Sequence, residues 1–278
     1  MIRLAAFADE IDPKLDVQIE HCKKNGVTHI ELRGVDGQNV LDFSPEKRKE
    51  IKSKLDAAGM GVAAIGSPIG KVAIDASWPE HFDRYKVAVE SAVFFDAPMI
   101  RLFSYYPPGG EGKGAIEPHR HQILERFRAK IEYLDDLPVT LVHENEKGIY
   151  GEKGKNCLDL MQAINSPKLR SAFDFANFVQ AGERPRDNWP LLKPFTTHIH
   201  IKDAKLGTGQ VVPAGQGDGD VDSILADAFA SGYSGFLSLE PHLKVAGHSH
   251  GETGPELFKT AADALKVILN KYKIVPGK

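Results

Sequence analysis

Eight short apolar runs, each followed by a stretch of helical periodicity, constrain this chain more than any other feature. They are residues 2–8, 28–33, 61–66, 99–103, 139–144, 169–174, 196–201 and 235–240. Each has the length of a strand, and none is joined to the next by a hairpin signal, so consecutive strands lie parallel with a helix between them. The spacing of about 25 to 40 residues predicts a (β/α)₈ TIM barrel, formed as one domain over residues 1–278. Local punctuation agrees. Leu15, Ile19 and Cys22 recur at helical spacing before Asn25-Gly26, and Ser44-Pro45 opens a helix that Gly59 closes. A doubly wound open sheet is the alternative. It is disfavoured because Asp9-Glu10-Ile11-Asp12 stands after the first strand, where that fold carries a glycine-rich dinucleotide loop.

Charge and cysteine usage exclude several function classes. The 35 basic and 38 acidic side chains are interspersed, giving a net charge of -3, so there is no phosphate-tracking stripe and nucleic acid is not an expected partner. No apolar run approaches a membrane span, and the first eight residues turn acidic too soon, at Asp9-Glu10, for a secretion signal. Cys22 and Cys157 fall in helical segments far apart and form no disulfide framework. The expected compartment is therefore the cytoplasm.

Chemistry in such barrels sits at the C-terminal ends of the strands. Strands five to eight end in Glu144, Asp174, His200 and Glu240. Three carboxylates converge there with an imidazole from consecutive strands, and the unpaired like charges of the carboxylates would repel one another unless a divalent cation joined them. Oxygen donors with one nitrogen suit Mn²⁺ first, with Mg²⁺, Co²⁺ or Zn²⁺ as alternatives, and differ from a thiolate-rich structural zinc site. Further polar residues thicken the cluster: His143, Asn145 and Glu146 after Val142, Asn177 beyond Asp174, His198 and Lys202 beside His200, and His242 beyond Glu240. Of these His143, Glu146, Asn177, Lys202 and His242 are candidate substrate contacts. His198 lies one layer deeper and reads equally as a core histidine, and Asp203 joins Lys202 as a candidate contact.

The motifs His143–Gly151, Phe173–Phe178, His198–Asp203, Pro213–Gly219 and Leu237–His242 resemble the sugar phosphate isomerase/epimerase family of xylose isomerase-like barrels, which also contains ketose 3-epimerases and inosose dehydratases. The resemblance spans nearly the whole chain. It implies a single metal held by Glu144, Asp174, His200 and Glu240, with Glu144 and Glu240 doubling as an acid/base pair that moves a carbon-bound proton through an enediolate. The implied substrate is a small carbohydrate, a keto-sugar or related polyol, and the implied assembly a homodimer. Two positions depart from the epimerase pattern. Asn177 stands where a histidine is usual, and Leu206 where an arginine is expected.

The same centre in a lyase would expel a leaving group from the neighbouring carbon, with His143, His242 or Lys202 as the acid. An endonuclease IV-like nuclease is disfavoured: strands three and four end in Gly66-Ser67 and Phe103-Ser104 rather than histidines. A sugar-binding protein without catalysis would have no use for the full ligand and base set. Three loops attract attention. Tyr105 to Pro118 reads as a lid or binding loop, and the segments Trp78 to Phe82 and Gly247 to His250 as a shield over the site or a subunit contact. Gly251–Pro255 reads as a plain helix start, since Glu252 and Glu256 oppose an anion there.

Overall fold

The protein is described here by a computed structural model covering residues 1–244 and 251–277. Eight parallel strands close into a barrel: β1 (Arg3–Ala6), β2 (His29–Leu32), β3 (Gly61–Ile65), β4 (Met99–Leu102), β5 (Thr140–Glu144), β6 (Leu169–Asp174), β7 (Thr196–Ile201) and β8 (Phe236–Leu239). Each pairs with its neighbours in chain order, and β8 returns to β1. The outer layer comprises α1 (Leu15–Lys24), α2 (Pro45–Ala58), α3 (Trp78–Phe94), α4 (Arg120–Leu134), α5 (Gly154–Ile164), α6 (Phe175–Gln180), α7 (Pro185–Leu192), α8 (Val221–Ala230) and α9 (Gly254–Lys271). The barrel foreseen from the alternation is therefore present. No helix among the described residues is long and apolar enough to cross a membrane.

The punctuation works as its chemistry requires. Ser44 Oγ accepts from the Lys47 N–H, Pro45 occupies the first helical turn of α2, and Gly59 ends that helix at φ 65°. Without a Cβ, glycine adopts that left-handed geometry at no steric cost. Two elements escaped the sequence reading. Gly34–Val35 pairs with Gln38–Asn39, and Asp203–Ala204 with Val211–Val212, as small antiparallel ribbons beyond β2 and β7.

Strand alternation divides the interior into two environments. Leu4, Ile30, Leu102, Leu141, Phe173, Ile199 and Leu237 point outward and pack beneath the helices, each worth roughly 1.5–3 kcal/mol when fully buried. Ala5, Ala63, Ala64, Met99, Val142, Ala172 and Phe236 form a separate cluster inside the barrel. Four of those seven are alanines, so the barrel floor is thin and leaves volume above it for long polar side chains. Two register shifts, between Ile30 and Glu31 against β3 and between Ser171 and Ala172 against β7, lie beside the strands that carry those side chains.

Candidate metal centre and active site

Glu144, Asp174, His200 and Glu240 meet at the C-terminal mouth of the barrel, with one donor atom of each within 4.8 Å of all the others. Asp174 and His200 are register partners across β6 and β7, which fixes their side-by-side placement. His200 Nδ1 lies 3.3 Å from Glu144 Oε1, 3.5 Å from Glu240 Oε2 and 3.7 Å from Asp174 Oδ2. All four side chains are buried.

A carboxylate beneath this group orients the histidine. Glu31 on β2 is buried, and its Oε2 accepts from His198 Nε2 at 2.8 Å, His200 Nε2 at 3.2 Å and Ser238 Oγ at 2.9 Å. A His200 that donates through Nε2 presents a lone pair on Nδ1, aimed at the three carboxylates. There, Nδ1 has no hydrogen-bond partner. An unsatisfied imidazole nitrogen facing oxygens is costly unless a cation lies between them. Glu31 and Glu144 outweigh burial and hold His200 well above its ordinary pKa. A field that favours a proton on Nδ1 favours a divalent ion there still more. The donor set therefore fits a divalent metal, with Glu31 as the carboxylate that fixes the ring behind it.

Charge balance supports the same fit. Asp9, Glu10, Glu31, Glu144, Asp174 and Glu240 cluster around the mouth, against the obligate cations Arg33, Arg101 and Lys202. Arg33 takes Asp9 in a two-pronged bond and lies 3.5 Å from Glu240 Oε1, while Arg101 Nη1 lies 3.0 Å from Glu144 Oε2. Both guanidiniums rest against the Phe7 ring, at 4.5 and 4.6 Å from its centroid. Lys202 Nζ stands 2.9 Å from both Asp174 Oδ2 and Glu240 Oε2. Burial pushes the Glu144 carboxyl up, but His200 and Arg101 outweigh it and bring it down to about 2. Lys202, His242 and His200 likewise hold Glu240 well below the carboxylate range despite its burial. Both are anions at neutral pH.

Most neighbours singled out in the sequence also arrive here. Asn177 Nδ2 donates to Glu144 Oε1 at 3.0 Å, and its backbone N–H donates to Asp174 Oδ1, capping α6. Asn145 bonds the backbone of Asp174 in both directions, tying β5 to β6. His242 stands 3.5 Å from Glu240 Oε1 and 3.1 Å from Glu10 Oε1, in a left-handed backbone held by the Glu10 carboxylate. Glu146 sits at the rim, paired with Lys71 at 2.8 Å. Tyr106, from the glycine-rich loop after β4, joins it: burial and the charges of Glu146, Glu111 and Glu144 raise its phenol pKa.

Three residues lie elsewhere. His143 points out of the barrel, opposite to Glu144, with Nε2 3.0 Å from Ser104 Oγ and its ring beside Phe127 and Gly151. It is not near the candidate metal ligands because adjacent strand residues face opposite sides. Asp203 turns away from the mouth and accepts the N–H groups of Ala204, Gly215, Gly217 and Gly219, so it pins the glycine-rich loop. Trp78 packs on Arg126, Lys130 and Phe82 in the helix layer rather than over the site. The segment Gly247 to His250 lies outside the described residues.

The sequence reading missed Glu10, Glu31, Arg33 and Arg101. The signal for three of them was present. His29, Glu31 and Arg33 share one strand face, and Arg101 interrupts the apolar run Met99–Phe103 at an inward position.

Residues 19–268 match the family described as xylose isomerase-like TIM barrel. The chain belongs to that family. Its relatives include a 3-dehydroshikimate dehydratase of Bacillus anthracis, 20% identical over 186 residues, covering 66% of this chain and 65% of the relative. The alignment thus spans just under two thirds of that relative's length. Among solved structures, an IolI protein with a bound zinc atom superposes with a TM-score of 0.76 at 16% identity, covering 98% of each chain. A D-allulose 3-epimerase from Methylomonas sp., in complex with D-allulose, gives 0.73 at 14% identity, covering 98% of this chain and 97% of its own. At these identities the superpositions establish the fold.

Proposed function

We propose that the chain is a divalent-metal-dependent enzyme that isomerises or epimerises a keto-sugar or related polyol by moving a proton on the carbon beside the carbonyl. The observation that carries this reading is the pair of glutamates. Glu144 and Glu240 come from strands three places apart, yet lie 3.3 and 3.5 Å from the same histidine nitrogen. With Glu144, Asp174, His200 and Glu240 as ligands, Mn²⁺ suits the three oxygens and one nitrogen. When bound, such an ion would polarise the substrate carbonyl and stabilise the negative charge that develops on deprotonation.

The protein groups divide the remaining work. Asn177 and Arg101 fix both oxygens of Glu144, so its free lone pairs have defined directions. Glu240, among Lys202, Arg33 and His242, is the second proton carrier on the other side of an enediolate. An uncharged substrate fits best, because Arg33, Arg101, Lys202 and Lys71 each already face a carboxylate and acids outnumber obligate cations. The similar dehydratase favours a second reading, elimination at the same centre. In that reading His242 or Lys202, both beside Glu240, delivers the proton to the leaving oxygen.

Incubating the Mn²⁺-loaded protein with keto-sugars in deuterated water separates the two. Deuterium in an isomeric product supports the isomerase, and an unsaturated product supports the lyase. Glu240→Gln is expected to lower turnover by roughly 10²–10⁴-fold, with metal content measured alongside. Undiminished turnover would remove Glu240 from the mechanism.

A further inference from the structure

Lys202 stands in a place that a substrate contact alone does not explain. Its ammonium is 2.9 Å from Asp174 Oδ2 and 2.9 Å from Glu240 Oε2, and the residue is 4% exposed. Those oxygens belong to two of the four candidate metal ligands. Their negative charge is therefore claimed by a resident cation of the protein as well as by any metal.

We infer that Lys202 is a built-in rival of the metal: its ammonium competes for Asp174 and Glu240, weakens the centre's hold on a divalent ion and keeps the site folded when the ion leaves. This rests on the metal-centre reading above and goes beyond it.

The distances impose the competition. An ion at a carboxylate ligand distance of roughly 2.0–2.2 Å and an ammonium 2.9 Å from the same oxygen stand no more than about 5 Å apart. At that separation, in a buried site, a divalent ion and an ammonium repel strongly. Both also draw on the same lone pairs. The backbone cannot relieve this by moving. Lys202 follows directly on β7, and its other neighbour, Asp203, is held by four backbone N–H groups. Strand alternation sets Lys202 on the same face as His200, so the rival and the nitrogen ligand are delivered by one strand.

The same contacts define the opposite role when the metal is removed. Asp174 and Glu240 are buried, and among the described residues Lys202 is the non-histidine cation within ion-pair distance of Asp174. Buried carboxylates stripped of their partner are strongly destabilising. Lys202 thus lets the protein survive metal exchange while setting the affinity below what four ligands would otherwise give.

The test is Mn²⁺ affinity, measured by competition with a chromogenic chelator on wild type, Lys202→Met and Lys202→Arg. Each is produced with Mn²⁺ present, stripped, and checked for fold by circular dichroism. Lys202→Met is expected to bind Mn²⁺ at least tenfold more tightly, about 1.4 kcal/mol, while its stripped form melts earlier than stripped wild type. Lys202→Arg keeps the charge and is expected to stay within a few-fold of wild type. If stripped Lys202→Met does not fold, Lys202→Gln, which keeps a polar group facing the carboxylates, takes its place with the same expected gain. Equal or weaker Mn²⁺ binding by the neutral variant overturns the inference while leaving the metal centre intact. No Mn²⁺ binding by wild type or any variant overturns the metal-centre reading, and this inference with it.

Discussion

Replacing Glu31 probes the part of the proposed centre that lies behind its four candidate ligands. Its Oε2 accepts three bonds, from His198, His200 and Ser238, while Oε1 has no partner. Glu31→Gln can keep its carbonyl oxygen at the Oε2 position, so the three bonds survive while the charge is removed and an amide NH₂ group takes the partnerless Oε1 position. Charge-assisted bonds exceed neutral ones by roughly 1 kcal/mol each, so three of them put the stability loss at about 3 kcal/mol. The same change makes His200 a weaker donor, and loss of such an orienting carboxylate typically costs roughly 10–100-fold in metal affinity. Glu31→Ala is expected to be worse, because it leaves two imidazole N–H groups and a hydroxyl unpaired in the barrel interior. Urea unfolding of the stripped proteins gives the first quantity, and chelator competition gives the second. A Glu31→Gln protein with wild-type stability and wild-type metal affinity would refute both the orientation of His200 and the assignment of Nδ1 as the ligand atom.

Two other perturbations test the surroundings. Gly151→Ala would place a Cβ 2.2 Å from His143 Cε1 and 3.0 Å from Ser104 Oγ, so a loss of roughly 1–3 kcal/mol is expected. Adding His143→Ala should return part of it, and independent, additive effects in urea unfolding would contradict the contact. Burial holds His81 down to about 3 and His143 to about 4, below the unfolded value near 6.5, so the unfolded chain binds more protons between these limits. Their contribution is therefore complete above about pH 6.5 and is lost as the pH falls toward 4, by at most roughly 1.4 kcal/mol per unit for each. Replacing both with Gln should flatten the fall in the urea midpoint between pH 6.5 and 4.5, and an unchanged slope counts against it.

The fold was legible because barrel strands carry redundant signals. Leu169–Asp174 and Thr196–Ile201 begin and end where the apolar runs do, and Ser44, Pro45 and Gly59 bound α2 as their backbone preferences require. What escaped was not encoded by periodicity. The ribbon from Asp203 to Val212 exists because one carboxylate gathers the backbone of a glycine-rich loop, and Gly217 and Gly219 leave no space for a Cβ beside Asp203. That packing is tertiary, and it turned an apparent substrate contact into a loop anchor.

The site was legible only in half, and the reason is geometric. Strands five to eight carry their candidate ligands within one residue of their C-terminal ends, so the end of each run suffices to find Glu144, Asp174, His200 and Glu240. The other half of the barrel contributes from positions inside or just beyond its strands: Glu31, Arg33, Arg101 and, from a short turn after β1, Glu10. These side chains do not supply the four ligands. They pair with and aim the candidate ligands, which is why they are mixed in sign. Strand parity alone would have sorted them, since it puts His29, Glu31 and Arg33 on the inner face with Arg101 and sends His143 outward. Parity does not reveal that Lys202, inward like His200, lies against the ligands themselves. That depends on the Asp203 clamp and on where Asp174 and Glu240 stand, so the inferred competition between Lys202 and a metal is visible only in the folded arrangement.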